Sequence, residues 1–289
     1  MKVILLGAGG QLGISIQKNF SSSTNLIEFS RDRLSIANKK ELSKVIKQHQ
    51  PDFVINAAAY TNVDGAETER NQANKVNNLC MHFLVELANI HNFTLIHFST
   101  DYVFDGQRNH PYSETNEMKP INYYGLSKSL GDRHIIDNCN RYYIFRVSRL
   151  FSPFGRNFVT TMIGLSKRHR IEIVDDQYGR PTSAIYLSKF LNELVLGRYQ
   201  IDFGVYNFSS NGKKVSWSVF AEAIFVHACK INLIDSKPKI INISSEEYNG
   251  SALKPCYTVL SNKKIEKSCK ISFPNWRELL DHDLKLMVR

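Results

Sequence analysis

Disulfide and zinc signatures are missing from this 289-residue sequence. Its five cysteines, Cys80, Cys139, Cys229, Cys256 and Cys269, never form a C-x-x-C pair, and no His/Cys cluster has metal-ligand spacing. An odd number of scattered thiols excludes a disulfide framework and fits a reducing cytoplasm. No apolar run approaches the roughly 20 residues that span a bilayer, so no membrane association is expected. The opening MKVILL imitates a signal peptide, but Gly7 to Gly10 interrupt it and no small-residue cleavage site follows. A buried strand is the expectation there. Acid is scarce relative to base, with 27 Asp and Glu against 37 Lys and Arg and a net charge of +10. The excess is dispersed over Lys39-Lys40, Lys167 to Arg170, Lys213-Lys214 and Lys263-Lys264, with no basic tail and no basic run interleaved with aromatics. Nucleic acid is therefore not expected as a partner. Such a field suits a small polyanionic ligand and equally a plain solvated surface. Repeats, low-complexity tracts and long linkers are also lacking. His82, His91 and His97 look incidental.

What is present in the first half is an alternation of strand and helix. Val3 to Leu6 is a continuous apolar run, as in a strand buried on both faces. Leu12, Ile16 and Phe20, four residues apart, predict a helix from Gln11. Leu26 to Phe29 predicts a second strand, and Glu41 to His49 a helix stopped by Pro51. Further strands are expected at Phe53 to Ala57, Thr94 to Ser99 and Tyr142 to Val147, with one long helical segment ending near Asn92. Repeated βα units in this order imply an α/β fold with a Rossmann-type, doubly wound parallel sheet. After residue 150 the rhythm changes. A turn at Ser152 to Gly155 precedes a predicted helix over 157–170 and a strand at Ile171 to Val174. Helices are predicted over about 183–196, 216–229 and 275–287, and a strand at Val205 to Phe208. The expected division is a dinucleotide-binding unit at 1–150 with a return segment at about 183–210, and a smaller substrate-binding lobe from 151–182 and 211–289.

Gly7, Gly10 and Gly13 have G-x-x-G-x-x-G spacing directly after a strand and before an amphipathic helix. Such glycines permit a tight turn, close approach of backbone to a pyrophosphate, and close helix–strand packing, while helix N–H groups meet the phosphates. The neighbourhood of the second strand end reads Phe29-Ser30-Arg31-Asp32-Arg33. Ser30 and Arg31 suit a 2′-phosphate and favour NADPH; Asp32 keeps NADH open. Tyr124 and Lys128 have Y-x-x-x-K spacing, one turn apart on a helix face. An ammonium beside a phenol would bring it toward a useful acid–base range. Thr100, at the C-terminal end of its strand, is placed to hydrogen-bond a substrate oxygen as hydride arrives. Asn77 suits either a backbone clamp or a water-borne proton path toward Lys128.

These residues resemble the dTDP-4-dehydrorhamnose reductase family of extended short-chain dehydrogenase/reductases. The resemblance runs over nearly the whole chain. It is carried by the glycine turn, Asn56-Ala57-Ala58-Ala59-Tyr60-Thr61-Asn62-Val63-Asp64 with Ala66-Glu67, Ser99-Thr100-Asp101-Tyr102-Val103-Phe104, Tyr124-Gly125-Leu126-Ser127-Lys128, and Asp176-Gln177-Tyr178-Gly179-Arg180-Pro181-Thr182. The resemblance implies reduction of the 4-keto group of dTDP-4-dehydro-L-rhamnose for surface polysaccharide synthesis. It implies that Gly10, Gln11 and Leu12 touch the cofactor phosphates, that Ala59, Tyr60 and Thr61 line the adenosine–ribose side, and that Phe98 and Lys128 contact the cofactor. Thr100, Asp101 and Tyr124 would face the sugar, with Tyr124 as proton donor. Three positions depart from the family pattern. Arg149 stands where an aromatic commonly packs on the sugar, Lys254-Pro255-Cys256-Tyr257-Thr258-Val259-Leu260 replaces R-P-x-N-S-x-L, and Ser15 replaces a glutamate used by some members in metal-bridged dimers. No metal is expected, and the oligomer would be a monomer or homodimer. Arg149 suits a substrate contact or an internal ion pair. The alternatives are a different substrate, such as a UDP-linked 4-keto sugar, and a non-catalytic nucleotide-binding regulatory subunit.

Overall fold

The computed structural model describes residues 1–288. Strand β1 (Lys2–Leu6) turns into helix α1 (Gln11–Asn19), followed by β2 (Asn25–Phe29), α2 (Lys39–His49) and β3 (Phe53–Asn56). Two short helices, α3 (Gly65–Thr68) and α4 (Arg70–Asn74), run into a π-helical turn at Lys75–Leu79 and then α5 (Cys80–His91). Next come β4 (Thr94–Thr100), a 3-10 turn at Asp101–Val103, α6 (Tyr123–Asn138) and β5 (Tyr142–Val147). The second half comprises β6 (Leu150–Phe151), α7 (Phe158–Leu165), β7 (Arg170–Val174), β8 (Thr182–Ser183), α8 (Ala184–Val195), β9 (Gly204–Phe208), α9 (Trp217–Lys230), β10 (Lys239–Ile243), α10 (Lys263–Cys269) and α11 (Trp276–Lys285).

Six strands form one parallel sheet in the order β2-β1-β3-β4-β5-β9. The side-chain alternation of β1 shows why it lies inside the sheet, covered on both faces. Val3 and Leu5 pack with Leu12 and Ile16 of α1 and with α8, whereas Ile4 and Leu6 pack with Leu42 and Ile46 of α2 and Leu84 of α5. All four β1 residues are fully buried, a gross stabilisation on the order of 6–12 kcal/mol before chain entropy is subtracted. Helices thus cover both faces, and the order reverses between β1 and β3. In such sheets that reversal opens a crevice beyond the strand C-termini.

The late strand returns to the main sheet, where β9 pairs with β5 from Tyr143↔Gly204 to Val147↔Phe208. A separate apolar core joins Phe151, Ile171, Phe220, Ile224, Trp276 and Leu280, beside a two-stranded parallel ribbon of β7 and β10. Within 211–289, however, α10 lies against β9, and Ile265 and Phe273 belong to the main core. Tyr257, Val259 and Leu260 pack on Val103, Phe104 and Tyr112, so the late chain also straps the end of β4.

Two predicted helices differ. The segment over 157–170 is helical only for Phe158–Leu165. Asn157 caps its start through Val159 and Thr160 N–H groups, but beyond Leu165 the consecutive bases of Lys167 to Arg170 have no apolar partner to bury. The long segment before Asn92 is broken by the π-helical turn, which brings Asn77 against the end of β3's loop. No described helix is long and apolar enough to cross a membrane.

Candidate active site

A cleft of about 760 Å³ opens at the C-terminal ends of β1, β2 and β3. Its walls include Gly7, Gly10, Ser30, Arg31, Ala59, Tyr60 and Thr61, all expected at a nucleotide site. Asp32, Ser35, Gln72 and Lys75 join them, and no local pattern singles out the last three. Gly7 has φ +83°, and a Cβ there would lie 2.5 Å from the Ala58 nitrogen. Only glycine permits that crossing of the β1 and β3 ends. Gly13 serves differently. A Cβ on it would fall 2.3 Å from the Gly7 carbonyl oxygen, so it lets α1 start hard against the turn. The first turn of α1 has no side-chain cap and no acidic residue, which leaves its N–H groups for an anion.

Leu12 is corrected in one respect: its side chain is in the main core, so only its backbone can meet a ligand. Gln11 extends instead toward the Leu150 carbonyl at 3.3 Å, with its own Oε1 buried and unpartnered. Ser15 bonds the Gln11 carbonyl within the helix. Asn77, fully buried, accepts from Tyr60 N–H at 2.9 Å and donates to the Tyr60 carbonyl at 3.0 Å and to Ser127 Oγ at 3.0 Å. Its amide is thereby spent as a backbone clamp behind the cleft wall.

Beyond the cleft, β4 ends at Thr100, beside Tyr124 and Lys128 on α6. The Asn122 side chain caps α6 by accepting from Gly125 N–H. Burial pushes the Tyr124 phenol up to about 12, although the Thr100 hydroxyl draws it back. The expected activation by Lys128 is therefore not what this arrangement provides. Lys128, 2% exposed, donates instead to the Phe98 carbonyl at 2.6 Å and lies 3.0 Å from His97 Nε2. Desolvation lowers its ammonium to about 8. A neutral phenol is the form that gives up a proton, so Tyr124 is held as an acid. Phe98 contributes its carbonyl, while its ring stacks on Phe145 in the core.

The structure corrects two further expectations on the substrate side. Asp101 is 3% exposed, and its two oxygens accept from Thr100 at 3.1 Å and Ser148 at 2.7 Å. It therefore buttresses Thr100 from behind. Arg149 donates to the carbonyls of Val215 (2.8 Å) and Gln177 (2.6 Å), and its guanidinium lies 4.2 Å from the Trp217 ring centroid. Both hydrogen bonds and the stack are internal, tying the end of β5 to the smaller core. Lys254 is likewise engaged, with Asp64 at 3.0 and 3.1 Å.

His97 was not incidental. It is 1% exposed beneath Lys128, in a buried set with Asp132 and Arg146. Ser99 donates to Asp132, whose Oδ2 is 3.8 Å from Arg146 Nε. Only spacing along β4 signalled this, since residues 97 and 99 face the same way.

A parallel doubly wound sheet, a nucleotide-shaped crevice at its switch point and a Thr/Tyr/Lys set beside it define a reductase of the short-chain dehydrogenase class. The family model described as "RmlD substrate binding domain" matches residues 1–288. The dTDP-4-dehydrorhamnose reductase of Aggregatibacter actinomycetemcomitans is 35% identical over 288 residues, covering 96% of this chain and 97% of that protein. The crystal structure of dTDP-4-dehydrorhamnose reductase from Bacillus anthracis in complex with NADP has a TM-score of 0.92 and 33% identity, covering 99% of each chain. That from Clostridium acetobutylicum has a TM-score of 0.92 and 32% identity over 100% of each. The chain belongs to the RmlD family.

Proposed function

We propose that this protein reduces the 4-keto group of dTDP-4-dehydro-L-rhamnose with NADPH, giving dTDP-L-rhamnose for surface polysaccharide synthesis. The observation that carries the reading is the cleft at the β1/β3 reversal, together with Thr100 at the C-terminal end of β4 in the same sheet and the neutral, half-buried Tyr124 next to it. The cleft fits a dinucleotide in volume, in its uncapped helix N-terminus and in the exposed Arg31 at its rim. Gly7, Gly10 and the first turn of α1 would hold the pyrophosphate, and Ser30 and Arg31 the 2′-phosphate. Ala59, Tyr60 and Thr61 would line the adenosine side, with Lys128 at the nicotinamide ribose. The reduced nicotinamide supplies hydride when bound. Thr100 would orient the sugar carbonyl oxygen by turning its hydroxyl proton from Asp101, which Ser148 holds in place, to that oxygen. Tyr124 donates the proton to the oxygen as negative charge develops there. Because the phenol is held up at about 12, it reaches the substrate protonated at neutral pH.

Residues 1–150 with 183–210 and α10 form the nucleotide-binding unit in this reading, and 151–182 with most of 211–288 the substrate lobe. The protein works in the cytoplasm as a monomer or homodimer, its ligand a nucleotide sugar and not a nucleic acid. A UDP-linked substrate was suggested by Arg149 and Lys254, and both are occupied by internal partners. The test is NADPH oxidation at 340 nm with dTDP-4-dehydro-L-rhamnose and a UDP-linked 4-keto sugar in parallel. Turnover of the dTDP sugar is expected. Turnover of the UDP sugar alone would refute the substrate, and tight NADPH binding without turnover of either would favour a regulatory subunit.

A further inference from the structure

The hydrogen bonds around His97 constrain where its proton sits. Asn56 and His97 are register partners on adjacent strands. Asn56 Oδ1 accepts from Ala58 N–H at 3.2 Å, which fixes the amide's orientation. Flipping it would set NH₂ against N–H. Asn56 Nδ2 therefore faces Met81 Sδ at 3.5 Å and His97 Nδ1 at 3.1 Å. Since that nitrogen is a donor, His97 Nδ1 is an acceptor and carries no hydrogen. The neutral ring then has its proton on Nε2.

Nε2 lies 3.0 Å from Lys128 Nζ. An N–H against an ammonium would be donor against donor. Against an amine it is a hydrogen bond to the nitrogen lone pair, and the amine still has an N–H for the Phe98 carbonyl at 2.6 Å. Every contact is satisfied only in the second arrangement. The surrounding charges agree. From α6, Asp132 lies 3.9 Å from His97 Nε2, but Arg146 of β5 faces the same carboxylate and offsets it. Tyr124, also on α6, is neutral, and Asp101 at the end of β4 is bonded to Thr100 and Ser148. β3 and α5 present Asn56 and Met81, neither of which ionises at working pH. Desolvation acts in the same direction, lowering His97 well below its ordinary value and Lys128 to about 8.

We propose that in the nucleotide-free protein at alkaline pH His97 donates its single ring proton to a neutral Lys128 amine, and that NADPH binding there requires Lys128 to take up a proton. This rests on the reading that Lys128 meets the nicotinamide ribose. There, a hydroxyl acceptor and nearby phosphate charge favour the ammonium, which swings off the ring. His97 is a positioning residue that acts through Lys128. The proton comes from solvent, so no other group changes charge.

The sign follows by linkage. Above pH 8 the free protein has lost the proton that the complex keeps, so NADPH affinity falls as pH rises, by up to about tenfold per pH unit. Calorimetry of NADPH binding in two buffers of different ionisation enthalpy reads the proton directly. Uptake close to one proton per site is expected at about pH 9 and close to none at about pH 6.5. Nitrogen NMR of ¹⁵N-histidine-labelled protein should show His97 with a bare Nδ1 and a protonated Nε2. His97→Gln, whose carbonyl accepts from an ammonium, should still bind NADPH but lose the uptake at high pH. A proton on Nδ1, or tight binding at pH 9 without uptake, overturns the proposal, as does unchanged uptake in His97→Gln. Failure of NADPH to bind at any pH would instead sink the functional reading, while the histidine spectrum would still decide the proton arrangement.

Discussion

Replacing Asn77 by alanine removes three hydrogen bonds at once, two to the backbone of Tyr60 and one to Ser127. At about 1 kcal/mol net for each bond the loss is about 3 kcal/mol, with the range of roughly 2–4 set by how well water reaches the orphaned groups. For a chain of this size that corresponds to a melting shift of about 6–12 °C. Tyr60 stands in the wall of the nucleotide cleft, so the same change should weaken NADPH, by about tenfold if 1.4 kcal/mol of positioning is lost. Asn77→Asp sharpens the test. It keeps an acceptor for Tyr60 N–H but turns a carboxylate oxygen toward the Tyr60 carbonyl in a fully buried site, and should be at least as damaging. Thermal unfolding with and without NADPH, together with a fluorescence titration, measures both effects. A melting point for Asn77→Ala within about 2 °C of wild type, or an aspartate variant milder than the alanine one, would refute the clamp.

Tyr124→Phe should lower turnover by about 10²-fold or more while leaving NADPH affinity nearly unchanged, measured by 340 nm kinetics and fluorescence titration; near-normal turnover would remove Tyr124 as the proton donor. Arg31→Ala should weaken NADPH about tenfold or more and NADH little, since an exposed guanidinium at the cleft rim serves the 2′-phosphate alone; equal losses would refute that role. Gly13→Ala, whose Cβ would meet the Gly7 carbonyl oxygen at 2.3 Å, should cost several kcal/mol or prevent nucleotide binding, and a wild-type melting curve with normal affinity would show that the turn can yield.

Val3 to Leu6 announced itself because both of its faces are buried, and Tyr142 to Val147 was bounded to the residue. β10 gave little signal, since its Lys239-Ile240-Ile241-Asn242-Ile243 is only half covered and its partner β7 is distant in the chain. The break before α5 was invisible because a π turn changes hydrogen bonding without changing composition. The glycine turn, Ser30, Arg31 and the Tyr124–Lys128 spacing are local patterns, and each was legible. Asp101 and Arg149 were misplaced because their surroundings come from β5 and from the loops bearing Gln177 and Val215.

The sequence by itself therefore determined the class of fold, a glycine turn suited to a dinucleotide and the Tyr124–Lys128 spacing proposed to move a hydride's companion proton. Periodicity and short motifs are properties of neighbouring residues, so these features survive in one dimension. Which titratable groups meet was decided only by the tertiary structure. His97 gains its importance because β3, β4, α5 and α6 exclude water around it and leave Asn56 on one ring nitrogen and Lys128 on the other. Desolvation and donor–acceptor matching depend on groups 31 to 41 residues away, and no local pattern encodes them.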